Sequence, residues 1–77
     1  MKKVKVYSTP SCPYCIRAKQ FLTDNNVPFE NFDVSADQQK SEEMVKLSGQ
    51  MGVPVLDIEG KIIVGFDKEA IKQELGI

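Results

Sequence analysis

Cys12 and Cys15 are the two residues of this chain best suited to do chemistry, and they stand three apart in Cys12-Pro13-Tyr14-Cys15. The spacing suits reversible disulfide exchange. A Cys at the mouth of a helix has its thiolate stabilised by unpaired backbone N–H groups and by the positive end of the helix dipole, which makes Cys12 the attacking sulfur. Cys15, one turn on, can attack the mixed disulfide formed at Cys12 and release the other half as a thiol. Pro13 suits the first helical position, where its missing N–H would have no intrahelical partner. Other uses of the pair fit less well. A structural zinc site needs four ligands, and the chain has two Cys and no His, so no metal is expected. A structural disulfide here would close a loop too short to restrict the unfolded chain much.

The elements that must hold this pair read as alternating strands and helices. Val4 to Tyr7 suits a first strand, followed by the turn Ser8-Thr9-Pro10-Ser11. From Pro13 to about Asp24, Cys15, Ala18, Phe21 and Leu22 recur at helical spacing, and Asn25-Asn26 ends the run. Pro28 leads into a short alternating strand, Phe29 to Val34, and two strands joined by a helix make a right-handed parallel crossover. Ser35 with Gln38 has the form of a capping box opening a second helix that carries Met44, Val45 and Leu47 and stops at Ser48-Gly49. Val53–Ile58 and Lys61–Gly65 flank Glu59-Gly60, a tight hairpin in which Gly60 supplies the positive φ. Asp67 is a good N-cap for a last helix bearing Ala70, Ile71 and Leu75, with Gly76 past its end. The expected order is βαβαββα.

Composition bounds the rest. A chain of 77 residues is read as one domain over 1–77, near the lower limit for an unaided core, with a stability of about 3–5 kcal/mol. A net charge of −1 lacks the basic excess of a nucleic-acid binder. Met1-Lys2-Lys3 is followed by alternating Val4, Lys5 and Val6 rather than an apolar leader, so neither export nor a membrane span is expected. The expected setting is the reducing cytoplasm, where disulfides are transient and catalytic.

Taken together, these residues resemble the glutaredoxins of the thioredoxin superfamily over essentially the whole chain. The marks are Tyr7-Ser8 before Cys12-Pro13-Tyr14-Cys15, then Ile16-Arg17-Ala18-Lys19, then Ser48-Gly49 ahead of Val53-Pro54, and Gly65 with Asp67. The resemblance implies an α/β thioredoxin fold, a four-stranded mixed sheet of order 2-1-3-4 with two helices on one face and one on the other. It also implies a cis Val53-Pro54 bond that turns the Val53 backbone toward Cys12, where it can pair with an extended thiol substrate. By the same likeness Tyr14 would wall the substrate groove, and Thr9, Gln50, Gly65, Phe66 and Asp67 would line the glutathione path. Two positions depart from the glutathione-binding pattern. Thr9 stands where many members carry Lys, and Phe66 where they carry a second Gly.

The activity implied is dithiol-disulfide oxidoreduction by a monomer, with no tightly bound cofactor and glutathione as co-substrate. It would act on protein disulfides, on glutathione mixed disulfides, or on both. An alternative donor is a thioredoxin-reductase-type flavoprotein, as for redoxins that serve ribonucleotide reductase or a peroxidase. An iron–sulfur carrier with the cluster shared between two protomers is a further alternative, against which Pro13 and the weakened glutathione site argue.

Overall fold

The structure, a computed structural model, describes residues 3–77; the start Met1-Lys2 read above lies outside them. The elements run β1 (Val4–Ser8), α1 (Pro13–Asp24), β2 (Glu30–Asp33), α2 (Gln38–Ser48), β3 (Val55–Ile58), β4 (Lys61–Val64) and α3 (Lys68–Leu75). The sheet has the order β2-β1-β3-β4. β1 pairs parallel with β2, Tyr7 opposite Phe32, and antiparallel with β3, Tyr7 opposite Val55; β3 and β4 form an antiparallel hairpin. This is the thioredoxin fold expected of the sequence.

Alternation along β1 sorts the two sides of the sheet. Val4 and Val6, with Leu56, Ile58 and Ile63, face α1 and α3, where Ala18, Leu22 and Ile71 complete one core. Tyr7 and Val55 face the other way and bury Met44 of α2. Two helices therefore cover one face and one the other. Lys5 shares the face of Tyr7 and is half-buried beside Asp57 and Glu30 of the neighbouring strands, which suits an aliphatic stem on the sheet with its amine in water. Tyr7 is fully buried, so its hydroxyl needs a partner; it donates to Glu43 Oε1 at 2.7 Å, and its ring lies 5.3 Å from that of Phe32.

Several boundaries differ from the sequence reading. The second helix is not opened by a Ser35–Gln38 capping box: Asp37 is the N-cap and accepts from the Lys40 N–H, while Ser35 hydrogen-bonds the Asp33 carboxylate in the preceding turn. Asp37 wins because a carboxylate placed one residue before the helix interacts with the dipole as well as with the N–H. Ser8, read as turn, is the last residue of β1 and is buried, its hydroxyl donating to Asn31 at 2.6 Å. β3 begins at Val55 rather than Val53, after a cis Val53-Pro54 bond. β4 ends at Val64 because Gly65 turns left-handed at φ 78°, and its N–H bonds the Pro54 carbonyl at 2.8 Å. Positive φ in the hairpin is shared by Glu59 (50°) and Gly60 (95°) rather than confined to the glycine. Asp67 and Gly76 cap α3 as expected, and Gly49 closes α2 in the left-handed conformation.

Candidate active site

The site is built where the C-terminal end of β1 hands the chain to α1. Cys12 is the N-cap of that helix, in extended conformation, and Pro13 opens its first turn. The Cys15 N–H donates to Cys12 Sγ at 3.4 Å, so the sulfur occupies the place a Ser or Asp side chain fills at an ordinary N-cap. Cys12 Sγ in turn donates to the Val53 carbonyl at 3.8 Å, which brings the loop before β3 against this sulfur. Cys12 is partly exposed, whereas Cys15 is fully buried one turn below it.

The two sulfurs are driven apart electrostatically. For Cys12, burial is the largest single influence and raises the pKa, but hydrogen bonds from the Cys15 side chain and from the Cys15 and Tyr14 backbone, with the Lys19 charge last, together outweigh it. They hold the Cys12 thiol below its ordinary value. For Cys15, burial is again foremost, and the hydrogen bond and negative charge of Cys12 add to it, so its thiol is pushed up to about 11 against weaker opposition from the Thr9 backbone and Lys19. A partly exposed thiol held below its ordinary pKa, one turn above a buried thiol pushed up, has the chemistry that an attacking and resolving pair needs.

The remaining residues singled out in the sequence separate into two groups. Thr9 and Val53 meet the dithiol, and Pro54 and Gly65 follow Val53 in the chain and in a backbone bond. Thr9 hydrogen-bonds the Cys15 sulfur through its backbone and accepts from the Cys12 N–H, Val53 accepts from Cys12, and Gly65 ties β4 to Pro54. Gln50 lies exposed in the same loop, its side-chain amide so close over Gly52 that a Cβ there would meet it at 3.2 Å. The others are committed elsewhere or turned outward. The Tyr14 ring is 59% exposed, with the Arg17 guanidinium 5.7 Å from its centroid. Phe66 packs on the α1–α3 core, 6.0 Å from the Phe21 ring, and the Asp67 carboxylate accepts from the Ala70 N–H as the cap of α3.

The reach of Lys19 was not read from the sequence, and the Val53 backbone, expected beside Cys12 by likeness, also accepts from the Cys12 thiol. Lys19 was legible in principle, since positions 12, 15 and 19 share one helix face. The Val53 contact spans 41 residues and had no local signal. Among the described residues no group of three or more His, Cys, Asp and Glu could hold a metal ion, and no helix is long and apolar enough to cross a membrane.

A dithiol at a helix N-terminus, beside a loop that ends in Val53-Pro54, on a βαβαββα sheet, defines a thioredoxin-fold thiol-disulfide oxidoreductase. The Glutaredoxin family profile matches residues 4–63. The chain is 48% identical over 68 residues to an uncharacterized glutaredoxin-like 8.6 kDa protein in the rubredoxin operon of Clostridium pasteurianum, covering 88% of this chain and 91% of that one. It is 39% identical over 67 residues to glutaredoxin 3 of Escherichia coli K12, covering 87% and 81%. Among solved structures, a variant of the thioredoxin-like protein BC3987 superposes with a TM-score of 0.92 at 38% identity, covering 100% of this chain and 99% of that one. A glutaredoxin from Archaeoglobus fulgidus gives 0.89 at 28%, covering 97% and 87%. The chain belongs to the glutaredoxin family, as a small glutaredoxin-like dithiol oxidoreductase.

Proposed function

We propose that this protein reduces disulfides by a two-thiol route in which Cys12 is the nucleophile and Cys15 the resolving thiol. The observation that carries the reading is the placement of the pair, Cys12 partly exposed as the N-cap of α1 with the Cys15 N–H on its sulfur and Cys15 buried one turn below, which holds the first thiol down and pushes the second up to about 11. The Cys12 thiolate attacks a substrate disulfide, forming one S–S bond and expelling one thiolate. Cys15, on losing its proton, attacks Cys12, breaks that bond, forms the internal disulfide and releases the second substrate thiol. Two electrons pass to the substrate. Once Cys12 is bound in a mixed disulfide, its charge and hydrogen bond no longer add to burial, the larger influence that raises the Cys15 pKa, so ionisation of Cys15 becomes easier at that stage.

The substrates under this reading are protein disulfides and glutathione mixed disulfides, met by extended backbone at Val53. Protein disulfide substrates and a recycling donor are its partners, the chain acting as one cytoplasmic domain and a monomer. Glutathione is the donor by family likeness. The family-derived glutathione path of Thr9, Tyr14, Gln50, Gly65, Phe66 and Asp67 lacks a Lys at Thr9, and the Asp67 carboxylate is occupied by the helix cap. That observation favours, as a second reading, recycling by a flavoprotein disulfide reductase. The similarity to a relative whose name places it in a rubredoxin operon, a setting of electron carriers, agrees with it.

The test begins with the prereduced protein and a peptide disulfide. Cys12→Ser is expected to abolish reduction, and Cys15→Ser to accumulate a mixed disulfide on Cys12 detectable by mass spectrometry. Trapping on the other sulfur, or full turnover by Cys12→Ser, would reverse the assignment. Comparing turnover with glutathione plus glutathione reductase against a thioredoxin reductase, both fed by NADPH, assigns the donor.

A further inference from the structure

The first helix carries a cation on the face of the dithiol. Lys19 follows Cys15 by four residues and Cys12 by seven, so the three share one side of α1, with Lys19 one turn beyond the buried sulfur. Helical side chains lean toward the N-terminus, which directs the long Lys19 stem back over the turn that holds Cys15. Lys19 is half-buried there, and its charge favours the thiolate at both sulfurs.

The surrounding groups leave that charge available. The helical neighbours of Lys19 at three and four residues are Cys15, Ile16, Leu22 and Thr23, none of them a carboxylate, and Asp24 accepts from Gln20 at 2.8 Å. The acidic group that feels Lys19 is Asp33, at the end of β2. Its carboxylate takes hydrogen bonds from the Ser35 hydroxyl and, at 3.0 Å, from the Ser35 N–H, and among the described residues it forms no salt bridge with Lys19. Asp33 therefore offsets part of the Lys19 charge without binding it. The other groups acting on the Cys15 sulfur are Cys12 and the Thr9 backbone.

We infer that Lys19 is a positioning residue for the resolving step, its ammonium supporting the negative charge that forms on the Cys15 sulfur before it attacks Cys12. In the reduced protein the Lys19 charge serves two sulfurs. Once Cys12 is bound in a mixed disulfide it can no longer be an anion, and the same charge serves Cys15 alone. Cys15 then gives its proton to water and its sulfur bonds Cys12, while the bond from Cys12 to the substrate sulfur breaks. The substrate leaves with the electron pair as a thiolate, which takes up a proton from water. Lys19 contributes charge and no proton. The inference rests on the two-thiol reading but concerns the group that sets the pace of its second half.

The experiment mixes the prereduced protein with dipyridyl disulfide, an uncharged reagent that frees one pyridinethione when Cys12 attacks and a second when Cys15 resolves. The first release scales with reagent concentration and the second does not. Lys19→Gln and Lys19→Met, each shown by thermal unfolding to be folded, are expected to slow the second release about fivefold at neutral pH, the upper end for a partly exposed charge, and to move its pH midpoint upward. The first release should slow less, since Cys12 lies a turn farther from Lys19 and also receives backbone hydrogen bonds. Lys19→Arg keeps the charge and should keep both the rate and the midpoint of the second release. An unchanged second release in the Gln and Met variants, an equal slowing of both releases, or a loss in Lys19→Arg as large as in Lys19→Met would overturn the role given to Lys19. A wild type that frees only one pyridinethione would sink the two-thiol reading itself, and the role of Lys19 with it.

Discussion

At the scale of single residues, the protein divides one chemical property between two copies of the same side chain. Cys12 and Cys15 differ by where α1 puts them. One is an N-cap that receives backbone N–H groups, and the other is sealed under the sheet with a pKa pushed up to about 11. Because the thiolate is the species that alkylates, a lowered pKa moves the rise in rate to lower pH and a raised one to higher pH. Iodoacetamide labelling of the reduced protein followed by mass spectrometry should therefore show Cys12 reacting with a midpoint below that of an ordinary thiol such as free cysteine, and Cys15 resisting until pH approaches 11. The linkage has opposite signs at the two sites. Cys12 ionisation favours the folded state above the unfolded pKa, and that gain is lost as pH falls through the lowered value. The neutral Cys15 favours it below the unfolded pKa and is lost as pH rises toward 11.

At the scale of elements, the ends of the helices decide where the functional loops begin. The cap of α2 is Asp37, whose carboxylate accepts from the Lys40 N–H, while Ser35 serves the turn before it. Asp37→Ala is expected to cost about 1 kcal/mol in urea unfolding, and Ser35→Ala clearly less. The reverse order would return the cap to Ser35. In the hairpin, Glu59 occupies a left-handed conformation that Asn tolerates better. Glu59→Asn should accordingly stabilise the protein by about 0.5 kcal/mol, readable in the same titration.

At the scale of the whole molecule, small size leaves little margin. Leu22 is fully buried in the core shared by α1, α3 and the sheet, and truncating such a residue costs about 2–5 kcal/mol. Set against a total of about 3–5 kcal/mol, Leu22→Ala is expected to remove most of the cooperative thermal transition seen by circular dichroism. The same core positions the dithiol. Cys15 and Ala18 precede Leu22 on the buried face of α1, so loosening that face would expose Cys15 and bring its alkylation to lower pH.

The chain by itself determined the CxxC pair and the order of elements, because both are local. A CxxC after a strand, apolar residues at helical or alternating spacing, and glycines past helix ends can be read over a dozen residues or fewer. It also supported the 2-1-3-4 sheet and the cis Val53-Pro54 bond through family likeness, though the dipeptide alone favours trans. Only the tertiary structure decided what depends on distant parts of the chain meeting. Ser8 becomes buried through Asn31, the Lys19 charge reaches Cys12, and Phe66 turns to Phe21 on the core. Asp67 is a milder case, since its capping role was legible locally while its assignment to a ligand came from likeness. Side-chain direction is set by the best-packed and best-bonded arrangement of elements, and that arrangement is a property of the assembled fold.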